Sequence, residues 1–186
     1  MIEALIKKIA QQLDKEQIPY MIIGGQAVLL YGSPRLTRDI DITLGIDTDK
    51  FELIEKVCKK LGLKLFPKNS SAFVQATKVL PVEEPKLKIR VDFIFSFTLY
   101  ETQAIARAGK VLMNDYPIKF ATPEDIIIHK MIAGRAVDLE DVRNILIKRK
   151  KSVDLKYIKK WLSQFSDIPE HEGILKIFNV ILKKYN

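Results

Sequence analysis

Apolar residues recur at helical spacing at the start of the chain. Ile2, Leu5, Ile6, Ile9 and Leu13 fall on one stripe, which predicts an amphipathic helix ending near Gln17 and Pro19. Tyr20 to Ile23 is a short unbroken apolar run and reads as a strand. Gly24 and Gly25 follow at once, and Gln26 to Tyr31 reads as a short helix stopped by Gly32 and Pro34. From Asp39 to Gly45 acids alternate with Ile and Leu, the two-residue period of a strand. Thr48 is placed to cap a helix whose inner face is Phe51, Ile54, Val57, Cys58 and Leu61. Leu63 to Phe66 predicts a further strand.

Phe73 to Val82 and Leu87 to Phe95 are β-rich, and Pro81, Glu83, Glu84 and Pro85 between them suggest an antiparallel pair. A helix is expected over Leu99 to Ala108. A hairpin follows, Val111 to Met113 and Ile118 to Phe120, turning at Asn114 and Asp115. Thr122, Pro123, Glu124 and Asp125 spell a helix start: a capping hydroxyl, proline at the first helical position, then acids. That helix runs through Lys130, and three more are expected, near Leu139 to Lys148, Leu155 to Phe165 and Glu172 to Lys184. No repeat, low-complexity tract or long linker interrupts the pattern. The expectation is therefore an α+β protein, with an α/β core over 1–121 and a C-terminal helical region over 122–186 packed on it.

Composition narrows the class. At 186 residues and 47% hydrophobic, the chain is long enough for one well-filled domain. No apolar run approaches the roughly 20 residues needed to cross a membrane, and Met1 to Ala10 holds no signal-like segment, so a soluble, cytoplasmic protein without a membrane partner is expected. The single cysteine, Cys58, excludes an internal disulfide and reads as a small buried hydrophobe. The net charge of +8 is unevenly spread: residues 142–186 hold 11 basic and 4 acidic side chains. Such a region suits RNA, an acidic partner or a polyphosphate, and equally a solvated lysine face; Lys148 to Lys151 also suit a helix C-terminus. Trp161, Phe165, Phe178 and Tyr185 are expected in the core; His129 has no second histidine nearby in the sequence and His171 falls in a loop or helix start, so neither is expected to carry catalysis.

The chemistry concentrates in the stretch from Gly24 to Ile42. A strand that runs into two glycines and a helix exposes unpaired N–H groups at the helix N-terminus, where glycine lets a phosphate approach closely. On the following strand Asp39 and Asp41 project to one side and Ile40 and Ile42 to the other. Two carboxylates so placed repel unless a cation lies between them, and magnesium takes one or two carboxylates together with substrate phosphates. A third acid, Asp92, stands in the apolar strand KIRVDFIF, alternating with Arg90. A carboxylate there expects a metal, a proton or a cationic partner. Taken alone, the Asp-x-Asp pair also suits a solvated strand face, and Asp92 also suits a pair with Arg90. Arg35, Thr37 and Arg38 occupy the connecting loop, where a basic side chain would contact triphosphate or clamp the aspartates.

Together these pieces resemble the nucleotidyltransferase fold of DNA polymerase β and kanamycin nucleotidyltransferase. Ile23, Gly24 and Gly25, thirteen residues, Asp39, Ile40 and Asp41, and a later strand with Asp92 between Val91 and Phe93 reproduce its signature. The string from Gly32 to Asp41, G-x-x-R-x-T-x-D-I-D, is similar to small bacterial and archaeal proteins akin to the AbiE-type toxins. HKMIAGRAVDLEDV, residues 129 to 142, matches a later helix of that subgroup at Lys130, Arg135, Asp138 and Asp141. Arg90 replaces the lysine those relatives commonly carry two residues before the third acid.

The resemblance implies a mixed β-sheet flanked by helices and a Mg²⁺-dependent enzyme that moves a nucleoside monophosphate from an NTP to a hydroxyl. Asp39, Asp41 and Asp92 would bind two Mg²⁺ ions and carry catalysis. Gly24 and Gly25 would cradle phosphates, and Arg35, Arg38 and Lys130 would neutralise the triphosphate. If the helix of Lys130 continued unbroken, Gly134, Asp138 and Asp141 would share its face. RNA, a protein side chain or a small molecule remains open as the acceptor, and a cognate antitoxin as a partner. A nucleotide- or partner-binding module without turnover and a two-metal phosphohydrolase are the competing classes.

Overall fold

A computed structural model describes residues 1–34, 36–96, 98–149 and 151–184. The strands are β1 (Tyr20–Ile23), β2 (Ile40–Leu44), β3 (Lys64–Leu65), β4 (Val79–Glu84), β5 (Ile89–Phe95), β6 (Gly109–Met113) and β7 (Tyr116–Phe120). Among the described residues they form one mixed seven-stranded sheet in the order β3-β4-β5-β2-β1-β7-β6. The helices are α1 (Ile2–Lys15), α2 (Gly24–Tyr31), α3 (Phe51–Leu61), α4 (Ser70–Thr77), α5 (Leu99–Arg107), α6 (Pro123–Ala133), α7 (Ala136–Arg149), α8 (Leu155–Phe165) and α9 (Ile174–Lys184). The α+β class follows directly. The chain divides into two compact units, Met1–Gln26 with Leu36–Ala121, and Ala27–Arg35 with Thr122–Asn186.

The first unit holds the whole sheet. β2 runs parallel to β5 and antiparallel to β1, which is parallel to β7. Ile40, Ile42 and Leu44 stand opposite Val91, Phe93 and Phe95, and all six are buried. This pairing sets the register, because a slip of one residue would turn the intervening acids into the core. α1 buries Ile6, Ile9 and Leu13 and packs on α3 and β7. Asp14 ties that contact by accepting from the Tyr116 hydroxyl at 2.8 Å and Lys119 Nζ at 3.1 Å. The β6–β7 hairpin turns at Asn114 and Asp115, with φ of 49° and 61°. Positive φ at both positions matches the right-handed twist of the strands. Cys58 is buried as expected, and burial pushes its thiol up to about 12.

Two expectations for this unit need correction. Phe73 to Thr77 is helical, within α4, and the strand begins only at Val79. The Asn69 side chain accepts from Ala72 N–H at 3.3 Å to start that helix, and Lys78 ends it in the left-handed region at φ 61°. A run of β-favouring residues thus yields to a capped helical turn, as strand propensity is set largely by neighbours. Thr48 is not the cap of α3. The Asp47 carboxylate accepts from Thr48 N–H at 2.6 Å and starts a 3₁₀ turn, Thr48–Lys50, that leads into α3. The Thr48 hydroxyl instead donates to Gln75 on α4 at 3.0 Å.

In the second unit α6 begins as its sequence spells, with the Thr122 hydroxyl accepting from Asp125 N–H at 3.3 Å and Pro123 at the first position. Gly134 then takes φ 65° and ends the helix, so Lys130 and Asp138 lie on different helices. They meet nevertheless: Lys130 Nζ is 2.7 Å from Asp138 and 3.1 Å from Asp141, all three side chains being buried. Arg135 reaches the other Asp138 oxygen at 2.6 Å from a largely exposed position. Further buried acids serve α8: Glu124 accepts from Asp154 N–H at 2.9 Å and Asp125 from the Tyr157 hydroxyl at 2.9 Å. Trp161 and Phe178 are buried, and Phe165 is half-buried. Tyr185 and Lys150 lie outside the described residues.

Burial alone would raise the Asp138 carboxyl, but hydrogen bonds from Arg135 and Lys130, and their charges, hold it below the ordinary value. A lowered carboxylate pKa stabilises the fold above the unfolded value, about 3.9, and that contribution is lost as pH falls through the folded pKa. Asp138→Asn is therefore expected to cost about 3 kcal/mol at neutral pH. In urea unfolding followed by circular dichroism, the gap to the parent protein should narrow as pH drops below about 4.

Candidate active site

The site residues of the first unit converge where β1 hands over to α2. Ile23 pairs with Asp41 across the β1–β2 ladder, and Gly24 follows with φ +63°. A Cβ at Gly24 would lie 1.8 Å from Oδ2 of Asp41. Glycine is therefore required there twice, by its backbone and by the carboxylate that rests against it. At Gly25 a Cβ would lie 2.4 Å from the Thr37 hydroxyl oxygen, so Thr37 rests on the second glycine. The pair thus admits two polar side chains onto the first turn of α2, whose leading N–H groups have no partner within the helix.

The parallel β2–β5 ladder sets Asp41 directly opposite Asp92. Both point away from the buried face that Ile40, Ile42, Val91 and Phe93 form. Asp39 lies just before β2 and is exposed, as is Arg38, and the Asp39 carbonyl accepts from Gln26 Nε2 at 3.4 Å. Asp92 is already engaged: Arg90 Nε donates to its two oxygens at 2.9 and 3.1 Å. Asp92 is mostly covered, with 18% of its side chain exposed, against 52% for Arg90. The hydrogen bond to Asp92 comes first in raising the Arg90 pKa, and the charges of Asp92, Asp39 and Asp41 add to it. The guanidinium therefore lies in the field of all three acids.

This arrangement bears on a metal. Among the described residues no three acids, histidines or cysteines are gathered closely enough to hold an ion. Asp41 and Asp92 do stand side by side at one register position, both offering oxygen, next to the glycine turn. That donor pair fits Mg²⁺, a hard cation that takes one or two carboxylates and completes its shell with water and phosphate oxygens. Asp39 does not close a three-acid group in this geometry. Arg35 lies outside the described residues, and Lys130 belongs to the second unit, where Asp138 and Asp141 hold it.

Two contributors to the site carry little signal of their own in the sequence. By sequence Thr37 is a loop residue within the G-x-x-R-x-T-x-D-I-D string, and only the fold brings it against Gly25. By sequence Arg90 is a substitution for lysine and one available partner for Asp92, and its reach over both carboxylate oxygens is set by the fold.

Solved structures with this fold include ANT(2'')-Ia, an antibiotic-resistance factor, at 18% identity and a TM-score of 0.61, covering 92% of this chain and 96% of that one. An antigenic nucleotidyltransferase-like protein from Paracoccidioides brasiliensis is similar at 19% identity, 0.56, and 94% and 91% coverage. The lincosamide antibiotic adenylyltransferase LnuA, solved with lincomycin bound, is similar at 16% identity, 0.54, and 81% and 97% coverage. At such identities the likeness establishes the nucleotidyltransferase fold. No curated protein matches the chain significantly. The family model described as nucleotidyl transferase of unknown function (DUF2204) matches residues 2–178, and with the fold and the paired aspartates in place the chain belongs to that family of nucleotidyltransferase enzymes.

Proposed function

We propose that this enzyme transfers a nucleoside monophosphate from a Mg-bound NTP to a hydroxyl group. The observation that carries the reading is Asp41 opposite Asp92 beside Gly24. Bound there, Mg²⁺ would neutralise the triphosphate and lower the pKa of the attacking hydroxyl. Asp41 and Asp92 would hold the ion, and Asp92 would also orient the acceptor hydroxyl and receive its proton. Asp39, exposed at the entrance to β2, would add a further carboxylate near the ion once substrate is bound. The N–H groups of the first α2 turn would face phosphate oxygens, with Gly24 and Gly25 adding no side chains of their own beside Asp41 and Thr37. Arg38, exposed in the loop before Asp39, is the described basic residue closest in sequence to the acids, and we assign it to the triphosphate. Lys130, whose charge two buried aspartates neutralise, we assign to fastening α6 to α7.

The acceptor is proposed to be a hydroxyl of RNA or of a small molecule. The basic C-terminal segment supports the first, and the lincomycin and adenylyl-tobramycin complexes of two similar folds support the second. The toxin-like motif extends the proposal to a cognate antitoxin, tested by co-purification with the product of an adjacent gene.

Transfer of label from each of the four α-labelled NTPs to total RNA, and to a panel of hydroxylated small molecules, measures the activity. Asp41→Asn should lower it at least about a hundredfold, and EDTA should abolish it. Label released as free nucleotide with no acceptor marked would instead identify a phosphohydrolase. Gly24→Ala should lose transfer as fully as Asp41→Asn while unfolding cooperatively, because its Cβ would displace the Asp41 carboxylate from 1.8 Å.

A further inference from the structure

Arg90 and Asp92 alternate on β5 and point to the same side, and the Arg90 Nε–H is shared between both carboxylate oxygens at 2.9 and 3.1 Å. Those oxygens are the ones Asp92 would offer to a cation, so guanidinium and metal compete for one carboxylate. The competition has an electrostatic side as well, since Asp39 and Asp41 also act on the Arg90 charge. A dication approaching Asp92 from the side of Asp41 meets a positive charge already bound to that carboxylate. The guanidinium has somewhere to go. Glu83 on β4 stands directly opposite Arg90 in the β4–β5 ladder, so its carboxylate is on the same side of the sheet. Its present partner, Lys88, is 3.5 Å away and largely exposed, a weak hold.

We propose that Arg90 is a positioning residue that doubles as a gate on the metal site: it holds Asp92 oriented, and a divalent cation gains this carboxylate only by displacing the guanidinium toward Glu83. The proposal rests on the reading of Asp41 and Asp92 as metal ligands. Its consequence is regulation of filling. Divalent cation alone binds weakly, and the triphosphate, which brings negative charge to the cation and oxygens to complete its shell, makes loading favourable. The site would then retain metal mainly when nucleotide is present.

Binding of Mn²⁺ to the apo protein, followed by electron paramagnetic resonance without nucleotide, tests this independently of turnover. Arg90→Met, which keeps an unbranched apolar stem and removes the charged guanidinium, should tighten Mn²⁺ binding roughly tenfold, and Asp92→Asn should weaken it. In the double variant the tightening should vanish. Unchanged or weaker binding in Arg90→Met, with Asp92→Asn still weakening it, overturns the gate and leaves the metal reading standing. Tightening that persists without Asp92 is a general charge effect and also overturns the gate. If Asp92→Asn has no effect on Mn²⁺, Asp92 is not a ligand and the metal reading falls first. Since Arg90 is about half exposed on a paired strand, circular dichroism is expected to show Arg90→Met folded as the parent.

Discussion

Two carboxylates held at one register of a parallel strand pair repel each other, and much of the first unit is arranged around keeping them there. Ile40, Ile42, Val91 and Phe93 bury the opposite face of β2 and β5 and fix the register that brings Asp41 beside Asp92. The apolar face thus provides the energy, and the polar face inherits the geometry. A cation must answer the resulting negative charge. In the structure Arg90 provides part of that answer.

The same constraint explains the glycine pair. A carboxylate pressed against Gly24 at a distance no Cβ tolerates, and a threonine pressed against Gly25, convert what looks like a flexible turn into a closely fitted one. Gly24 has a backbone that other residues rarely adopt, so its identity is dictated by conformation and contact together. In the second unit the buried charges serve cohesion. Lys130, Asp138 and Asp141 join two helices that Gly134 has separated, and Glu124 and Asp125 bind the start of α8. Buried ion pairs contribute little net stability over an apolar core, but losing one partner is costly, which makes them effective locks on a single arrangement.

Most elements were legible from local pattern. The α1 stripe, the hairpin at Asn114 and Asp115, the cap at Thr122 and the alternation of β2 and β5 depend on interactions spanning a few residues, and each stands where periodicity and turn chemistry put it. The misreadings occur where a local alternative won. Asn69 capped a helix across Phe73 to Thr77, and Asp47 took the capping role from Thr48. At Gly134 the sequence left both a break and a continuous helix open, and the left-handed backbone decides for the break.

For the site, residue types and spacings were enough to nominate Gly24, Gly25, Asp39, Asp41 and Asp92, because charge in an apolar strand and glycine at a strand-to-helix turn are costly unless something uses them. Which of these acids stand together was beyond local pattern. Register between β2 and β5 joins residues about fifty positions apart, and it sets Asp92 beside Asp41 while Asp39 stays exposed at the strand entrance. The same holds for charge: Arg90 faces Asp92, and Lys130 is spent on Asp138 and Asp141, through packing that spacing alone does not encode. Hydrogen-bond caps and hydrophobic periods act over a turn or two and are written in the chain. The pairing of buried charges depends on which surfaces the fold brings into contact.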